Sequence, residues 1–204
     1  MRIRHEVFAI DPQQQRMQVQ NLENGKQWWE PYDRLMLATG AVPIRPDVPG
    51  AHAEGVFGAD TLKTAVKMNQ ILDHKQPVRA VIVGGGYIGL EMAEALILRG
   101  LAVSLVEQAE EVMNTLDPDI GALVSAALEE AGVTLYRRES FQGFDVKDNR
   151  VRSVITDQRQ IPADLVVLGM GVRPNSSLAR QAGISLGVKD GIKVDNRLQT
   201  AKAF

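Results

Sequence analysis

The sequence of 204 residues contains no cysteine. This absence excludes a disulfide framework, a thiolate metal site and a cysteine nucleophile within the chain. Histidine is also scarce: His5, His52 and His74 lie far apart without the spacing of a metal site, so we expect them at the surface. The sequence therefore predicts no metal centre in this chain and gives no sign of a catalytic cysteine or histidine.

The sequence also lacks a charge excess of either sign and long apolar runs. Its formal net charge is −2, which gives no reason to expect nucleic acid or an anionic membrane surface as a partner. No apolar run approaches the roughly 18 residues of a membrane-spanning helix, and Met1 leads into a polar segment unlike a signal peptide. Hydrophobic residues make up 45% of the chain, enough for a core. We expect a cytoplasmic, globular protein whose partner is a small-molecule substrate.

Alternating polar and apolar residues predict β-strands in two regions. Residues 1–31 predict three short strands, with Asn24-Gly25 as a strong hairpin signal. The alternation returns over residues 140–161 as a second meander. Short apolar runs at Leu35–Leu37 and Leu165–Leu168 predict one further strand after each meander, and each run is followed by a glycine turn.

Proline and glycine mark a linker and the ends of two helices. Residues 41–50 contain three prolines and a glycine, which predicts a stiff linker. A helix should follow from about Asp60 to Leu72, with Asp60 as its N-cap. Another should begin at Asp117-Pro118, a cap followed by proline at the first helical position, and end at Gly132.

The most informative segment is a glycine-rich turn between a strand and a helix. Ala80–Val83 predicts a buried strand, Tyr87–Arg99 a helix ended by Gly100, and Val103–Val106 the next strand. Between them, residues 84–89 (GGGYIG) fit G-x-G-x-x-G, the fingerprint of dinucleotide-binding βαβ units. The pattern alone is weak, but here every required flanking element is present.

Each glycine of this fingerprint has a physical role. Gly84 permits the tight turn, Gly86 leaves room for a diphosphate to approach the backbone, and Gly89 lets the helix pack close to the strand. Together with Tyr87 and Ile88 they open the helix, whose free N–H groups and partial positive charge attract phosphate. The alternative is a plain glycine turn in an α/β protein.

Glu107 follows the second strand and predicts which nucleotide binds. It lies 23 positions after Gly84, close to the spacing of about 20 at which an acid binds the adenosine ribose. Its carboxylate would repel a 2′-phosphate, and the next residues, Gln108 to Glu111, contain no arginine to reverse this. We therefore expect NAD(H) rather than its phosphorylated form, unless Glu107 is only a solvated surface acid.

The chain contains an internal repeat. Residues 32–43 (YDRLMLATGAVP) align without gaps on residues 163–174 (ADLVVLGMGVRP), which matches Asp33 with Asp164 and Gly40 with Gly171. Two related nucleotide-binding domains are the simplest explanation, and chance similarity of two apolar segments is the alternative. In the second copy of the repeat, the glycine fingerprint at Gly84 lies 80 residues before Asp164. A fingerprint at the same distance before Asp33, in the first copy, would fall before Met1, and we expect it there.

These residues resemble the pyridine nucleotide-disulfide oxidoreductase superfamily, and most of all its coenzyme A-disulfide reductase and NADH oxidase group. The matching segments span nearly the whole chain, in order: RHEVFAIDP at 4–12, PYDRLMLATGAVPIRPDVPG at 31–50, VIVGGGYIGLEMAEAL at 81–96, LVE at 105–107 and LGMGVRPN at 168–175.

The resemblance implies an α/β fold with two nucleotide-binding domains of the same type. Residues 46–174 would form a Rossmann-like NAD(H)-binding domain with a parallel sheet, helices and a β-meander crossover. Residues 1–45 would be a remnant of an FAD-binding domain, and residues 175–204 a truncated segment returning to it. The glycine fingerprint for FAD, the redox cysteine and the dimerisation domain of the family are missing from this chain, and its full-length form is expected to be a homodimer.

The resemblance also implies roles for individual residues. Leu37 to Gly40, including Thr39, would lie near the adenosine side of FAD, and Gly169 to Gly171 would close the NAD pocket. Tyr87 would cover the nicotinamide pocket, with helix packing as the alternative. Glu91 would bind the nicotinamide carboxamide, with an ordinary exposed first-turn acid as the alternative.

The implied function is NADH-dependent flavoprotein oxidoreduction, in which this chain supplies NAD(H) binding and positions the hydride donor toward FAD. The acceptor would be a disulfide, a persulfide or oxygen, and the isolated chain is expected to be inactive. Two alternatives remain open: a nucleotide-binding or sensing module without redox turnover, and a relative of ferredoxin or rubredoxin reductases that uses no cysteine.

Overall fold

The computed structural model describes residues 1–58 and 61–201. The described residues form two compact units, one made of residues 1–42 together with 173–201 and the other lying within residues 43–172. Within the described residues, no helix has the length and apolar character needed to cross a membrane.

The elements follow one another along the chain as strands and helices with short connections. The strands are β1 (His5–Asp11), β2 (Arg16–Asn21), β3 (Gln27–Pro31), β4 (Ala41–Pro43), β5 (Val56–Gly58), β6 (Arg79–Val83), β7 (Ala102–Glu107), β8 (Thr134–Arg137), β9 (Phe141–Lys147), β10 (Arg150–Thr156), β11 (Gln160–Pro162), β12 (Leu165–Leu168) and β13 (Val172–Pro174). The helices are α1 (Leu62–Lys75), α2 (Tyr87–Leu98), α3 (Pro118–Glu130) and α4 (Ser177–Gln181).

In the first unit, β1, β2 and β3 form the antiparallel meander that the alternation predicts. Asn24-Gly25 lies in the turn between β2 and β3, and Gly25 has a φ of 72°, which glycine adopts without steric cost. The short helix α4 contacts β1. Strands β4 and β13 pair as a separate two-stranded sheet.

The second unit is built on a five-stranded parallel sheet in the order β5-β12-β6-β7-β8. A three-stranded antiparallel meander, β9-β10-β11, forms a second sheet. A parallel sheet joined by helices and completed by a meander is the predicted Rossmann-like α/β fold, which is thereby confirmed.

Alternate residues of the parallel strands divide the core into two layers. Val81, Val83 and Val166 pack toward Val151 and Val154 of the meander. The residues between them face the helices, in a cluster of Ala80, Ile82, Val103, Leu105, Leu165, Val167, Ala93 and Leu96. Because both faces are covered, these strands are continuous apolar runs rather than alternating ones.

Three local predictions are wrong. Leu35–Leu37 form no strand: within the described residues no strand pairs with them, and Met36 is 87% exposed. Helix α1 begins at Leu62, where the side chain of Thr61 caps it by accepting a hydrogen bond from Thr64 N–H, whereas Asp60 lies outside the described residues. His5 is partly buried, with its ring edge against Trp28.

The internal repeat is visible in the backbone after each apolar run. Gly40 and Gly171, which the repeat matches, both have positive φ angles, 67° and 86°. The carbonyl of Gly40 accepts from the N–H of Asn175, and that of Gly171 accepts from the N–H of Ile44, each four residues beyond the other glycine. The two turns are therefore alike, although only the second follows a strand.

Asp164 fixes the start of β12 beside β6. Its carboxylate accepts the backbone N–H groups of Val78 and Arg79, at 3.2 and 3.0 Å, and the Arg79 guanidinium, at 2.9 and 3.3 Å. The hydrogen-bonded guanidinium of Arg79 lowers the pKa of Asp164 from its usual value. This carboxylate therefore links the two central strands of the sheet.

We expect Asp164→Asn to lower the free energy of unfolding at pH 7 by about 1–2 kcal/mol, since a charge-assisted network becomes a weaker neutral one. A lowered pKa means that the stabilisation is present above the usual aspartate pKa and is lost as pH falls through the lower folded value. The difference from wild type, measured by urea unfolding, should therefore shrink below about pH 4. Asp33→Asn, at the exposed matching position of the repeat, is the control and should change stability little; equal effects would contradict this role of Asp164.

Candidate dinucleotide-binding site

Three backbone segments meet at the glycine-rich turn of the fingerprint. Gly84 has a φ of 106°, and a Cβ added to it would overlap the carbonyl of Gly169. A Cβ on Gly89 would overlap the carbonyl of Gly84, and one on Gly169 would lie 3.3 Å from the Cα of Gly89. The glycines thus allow the end of β6, the first turn of α2 and the end of β12 to approach one another without intervening side chains.

Gly86 differs from these glycines because it borders open space. It is the N-cap of α2, and a Cβ added to it would meet nothing within 4 Å. No side chain caps this helix end, so the first N–H groups of a 12-residue helix are available to a ligand. The backbone conformation at Gly86, with φ −84° and ψ −177°, is one that other residues adopt readily.

Glu107 points back into the glycine turn. Its Oε2 accepts the N–H of Gly85 at 2.7 Å, and its Oε1 accepts the N–H of Ala109 at 2.8 Å. The residue is only 9% exposed, which rules out a merely solvated surface acid. The two hydrogen bonds hold the carboxylate at the end of β7, next to the opening of α2, and leave further lone pairs on each oxygen.

Gly85 is a site residue that the fingerprint pattern treats as variable. A Cβ at Gly85 would lie 2.8 Å from Cγ1 of Val112 and 3.1 Å from Oε2 of Glu107. Its carbonyl accepts the N–H of Met113, a residue with a φ of 55°. The loop after β7 is thereby held against the turn. Only the presence of a glycine at the middle position of the GGG run, and not the motif spacing, could have indicated this role of Gly85.

The remaining predicted residues of the second unit surround the start of α2 or follow β12. Tyr87 is 64% and Ile88 38% exposed, and Glu91 is exposed one turn later. The high exposure of Tyr87 argues against the helix-packing alternative. Gly169 is held beside the turn by donating to the carbonyl of Val83 at 2.8 Å, and Gly171 is exposed two residues further on.

Thr39 and Gly40 belong to the first unit and are placed by Asn175. The Thr39 hydroxyl donates to the carbonyl of Asn175 at 2.5 Å, and the Asn175 amide returns a bond to the carbonyl of Thr39 at 3.3 Å. The N–H of Asn175 also donates to Gly40, at 3.0 Å. Both predicted residues are exposed, and the described residues show no glycine turn opening a helix beside them.

No arginine follows Glu107 within the next four residues of the sequence, but the neighbouring strand brings arginines close to it. Arg137, on the neighbouring strand β8, is the register partner of Glu107. Arg137 donates to both oxygens of Glu111, at 2.9 and 2.8 Å, and Arg138 pairs with Glu110. The hydrogen bond from the Ser125 hydroxyl, and to a smaller extent the one from Arg137, lowers the pKa of Glu111. The hydrogen bond to Glu111 raises the pKa of Arg137.

Comparison with known proteins identifies the family. The profile of the pyridine nucleotide-disulphide oxidoreductases matches residues 1–203. The chain belongs to this family. An NAD(P)H sulfur oxidoreductase (CoA-dependent) of Pyrococcus abyssi is 34% identical over 197 residues, which cover 96% of this chain and 43% of that protein.

Two solved structures of family members superpose on nearly the whole chain. An FAD-dependent pyridine nucleotide-disulphide oxidoreductase from Desulfovibrio vulgaris is 35% identical with a TM-score of 0.86, over 97% of this chain and 50% of that one. The water-forming NADH oxidase from Lactobacillus brevis, bound to NADH, is 30% identical with a TM-score of 0.87, over 97% and 43%. The chain thus spans half or less of the length of these relatives.

The glycine contacts give a prediction about stability. Gly89→Ala places a methyl group against backbone that cannot move aside, so we expect the free energy of unfolding to fall by about 1–3 kcal/mol or more. Gly86→Ala enters open space with an allowed backbone conformation and should change stability by less than about 1 kcal/mol. Urea unfolding of the two variants compares them directly, and equal destabilisation would contradict the difference between the two positions.

Proposed function

We propose that residues 43–172 bind NADH and position its nicotinamide for hydride transfer to a flavin in the whole enzyme. The observation that carries this proposal is the pairing of an open, uncapped helix start at Gly86 with the buried carboxylate of Glu107 at the adjacent strand end. The helix start would bind a diphosphate and the carboxylate would bind a ribose. The diphosphate and the ribose are neighbours in a dinucleotide.

The turn at Gly86 suits a diphosphate for steric and electrostatic reasons. The missing side chain lets phosphate oxygens reach the backbone, and the first N–H groups of α2 donate to them. The partial positive charge at the helix start favours the negative charge. Gly84, Gly89 and Gly169 contribute indirectly, because their close contacts hold this helix start at the end of the sheet.

Glu107 suits the adenosine ribose. Since one backbone N–H occupies each carboxylate oxygen, the remaining lone pairs can accept the ribose hydroxyls. A 2′-phosphate in the same place would meet this negative charge, and two unit charges about 4 Å apart repel by roughly 4 kcal/mol in a partly screened site. The carboxylate thus favours NADH over NADPH.

The nicotinamide end of the nucleotide would be held by residues beyond the turn. We assign Tyr87 and Ile88, exposed at the first positions of α2, to the rim of the nicotinamide pocket. Glu91 would hydrogen-bond the carboxamide, and Gly169 to Gly171 would close the pocket at the end of β12. Bound NADH supplies a hydride. These residues would only orient the nicotinamide ring and restrict the access of water to it.

In the whole enzyme, the flavin that accepts the hydride would be FAD. The Desulfovibrio vulgaris relative is FAD-dependent, and the Lactobacillus brevis relative binds NADH. Thr39 and Gly40 are assigned to the FAD side, but the described residues of the first unit do not form a diphosphate cradle of their own. The final acceptor would be a disulfide, a persulfide or oxygen, since named relatives include a sulfur oxidoreductase and a water-forming oxidase.

Calorimetric titration of the chain with NADH, NADPH and FAD tests the proposal. We expect NADH to bind most tightly, NADPH more weakly, and FAD least or not at all. Gly86→Val should abolish NADH binding because the added side chain fills the space of the diphosphate, while circular dichroism shows the fold retained. Retained NADH affinity in this variant would contradict the assignment.

Glu107 has its own prediction. Glu107→Gln keeps the shape of the side chain and removes the charge, so NADPH affinity should rise relative to NADH affinity. Glu107→Arg should shift the preference further toward NADPH, because a cation then faces the 2′-phosphate. Binding constants for both nucleotides are the measurement, and unchanged discrimination in both variants would remove Glu107 from the ribose site.

A further inference from the structure

Two arginines lie beside the proposed ribose site, but they are held differently. Arg137 is fixed by a short, two-oxygen contact with Glu111, which also accepts the Ser125 hydroxyl at 2.5 Å. Glu129 adds a contact at 3.5 Å. The Arg137 side chain is 35% and the Glu111 side chain 19% exposed. Arg137 is therefore committed to joining β8 to α3 and the loop after β7.

Within the described residues, the side chain that forms an ion pair with Arg138 is exposed. The Arg138 side chain and that of Glu110, with which it pairs, are each 69% exposed. Ion pairs of this kind contribute little to stability and change partners readily, because water solvates both groups. Arg138 is therefore a cation that could be redirected to a ligand without disturbing the fold.

The backbone places Arg138 close to Glu107. The N–H of Arg138 donates to the carbonyl of Ala109 at 3.0 Å, and the N–H of Ala109 donates to the Glu107 carboxylate at 2.8 Å. On the other side, the N–H of Glu139 donates to the carbonyl of Glu107 at 3.1 Å. These bonds keep Arg138 at a φ of 57°, a left-handed conformation that residues with a side chain rarely adopt.

We propose that Arg138 is a latent binding group for a nucleotide 2′-phosphate, and that Glu110 keeps it engaged. This inference rests on the proposed function. The preference for NADH would then have two causes: Glu107 repels the extra phosphate, and Glu110 neutralises the nearest exposed cation. The charged side chains around the site are Glu107, Glu110, Glu111 and Glu129 against Arg137 and Arg138, an excess of two negative charges.

Titration of the full chain with NADPH and NADH tests the inference. Glu110→Gln should tighten NADPH binding by about 2- to 5-fold, the factor that one exposed charge pair corresponds to, and leave NADH affinity unchanged. The gain should be lost when Arg138→Gln is added and partly kept with Arg138→Lys, which retains the charge. It should also shrink at high salt, because exposed charges are screened.

Asp190→Asn is the matched control. Asp190 pairs with Arg180 at 2.8 Å, and the two side chains are 62% and 59% exposed, so this substitution removes a similar surface pair in the first unit. It should change neither affinity. An unchanged ratio of NADPH to NADH affinity in Glu110→Gln, or a gain that survives Arg138→Gln, would overturn the inference. Failure of the wild-type chain to bind NADH would instead overturn the proposed function.

Discussion

The organisation of this protein depends on the contact between backbone segments at Gly84, Gly89 and Gly169. A sheet strand, the following helix and a second strand meet there at distances that leave no room for a Cβ atom on Gly84 or Gly89 and little room for one on Gly169. Because α2 starts at this contact, the direction of its first N–H groups is fixed by packing that lies behind the surface. The free space at Gly86 lies at a defined place at the end of the sheet because Gly84 and Gly89, on either side of it, are in close backbone contact.

A second layer of interactions ties the loop after β7 to the same turn. Glu107 accepts the N–H of Gly85, and Met113 donates to the carbonyl of Gly85. The acid proposed to bind the ribose is thus also part of the structure that shapes the turn. Glu110 and Glu111, from the same loop, hold the arginines at the end of β8. In the proposed function, nucleotide preference would therefore depend on a small charge network rather than on one carboxylate.

The sequence predicted the second unit well because its signals are local. Apolar runs, a glycine turn, an N-capping aspartate before proline and glycines after helices each act on a few neighbouring residues. The same reasoning was wrong for Leu35–Leu37, which has the apolar pattern of a buried strand. A strand requires neighbours to accept its hydrogen bonds, and the pattern of the segment itself does not contain them. Its counterpart, β12, lies between β5 and β6 and is a strand for that reason.

The sequence by itself determined the order of elements, the α/β class and the fingerprint, because these follow from periodicity and from the conformations that glycine and proline allow. Only the tertiary structure showed that Gly169, about 80 residues away along the chain, closes the turn at Gly84, and that Val112 closes it at Gly85. It also decided that Arg137, the last residue of the next parallel strand, and Arg138, which follows it, lie close to Glu107. Pairing of parallel strands brings together residues that are distant in sequence, and neither motif spacing nor composition predicts which residues become neighbours.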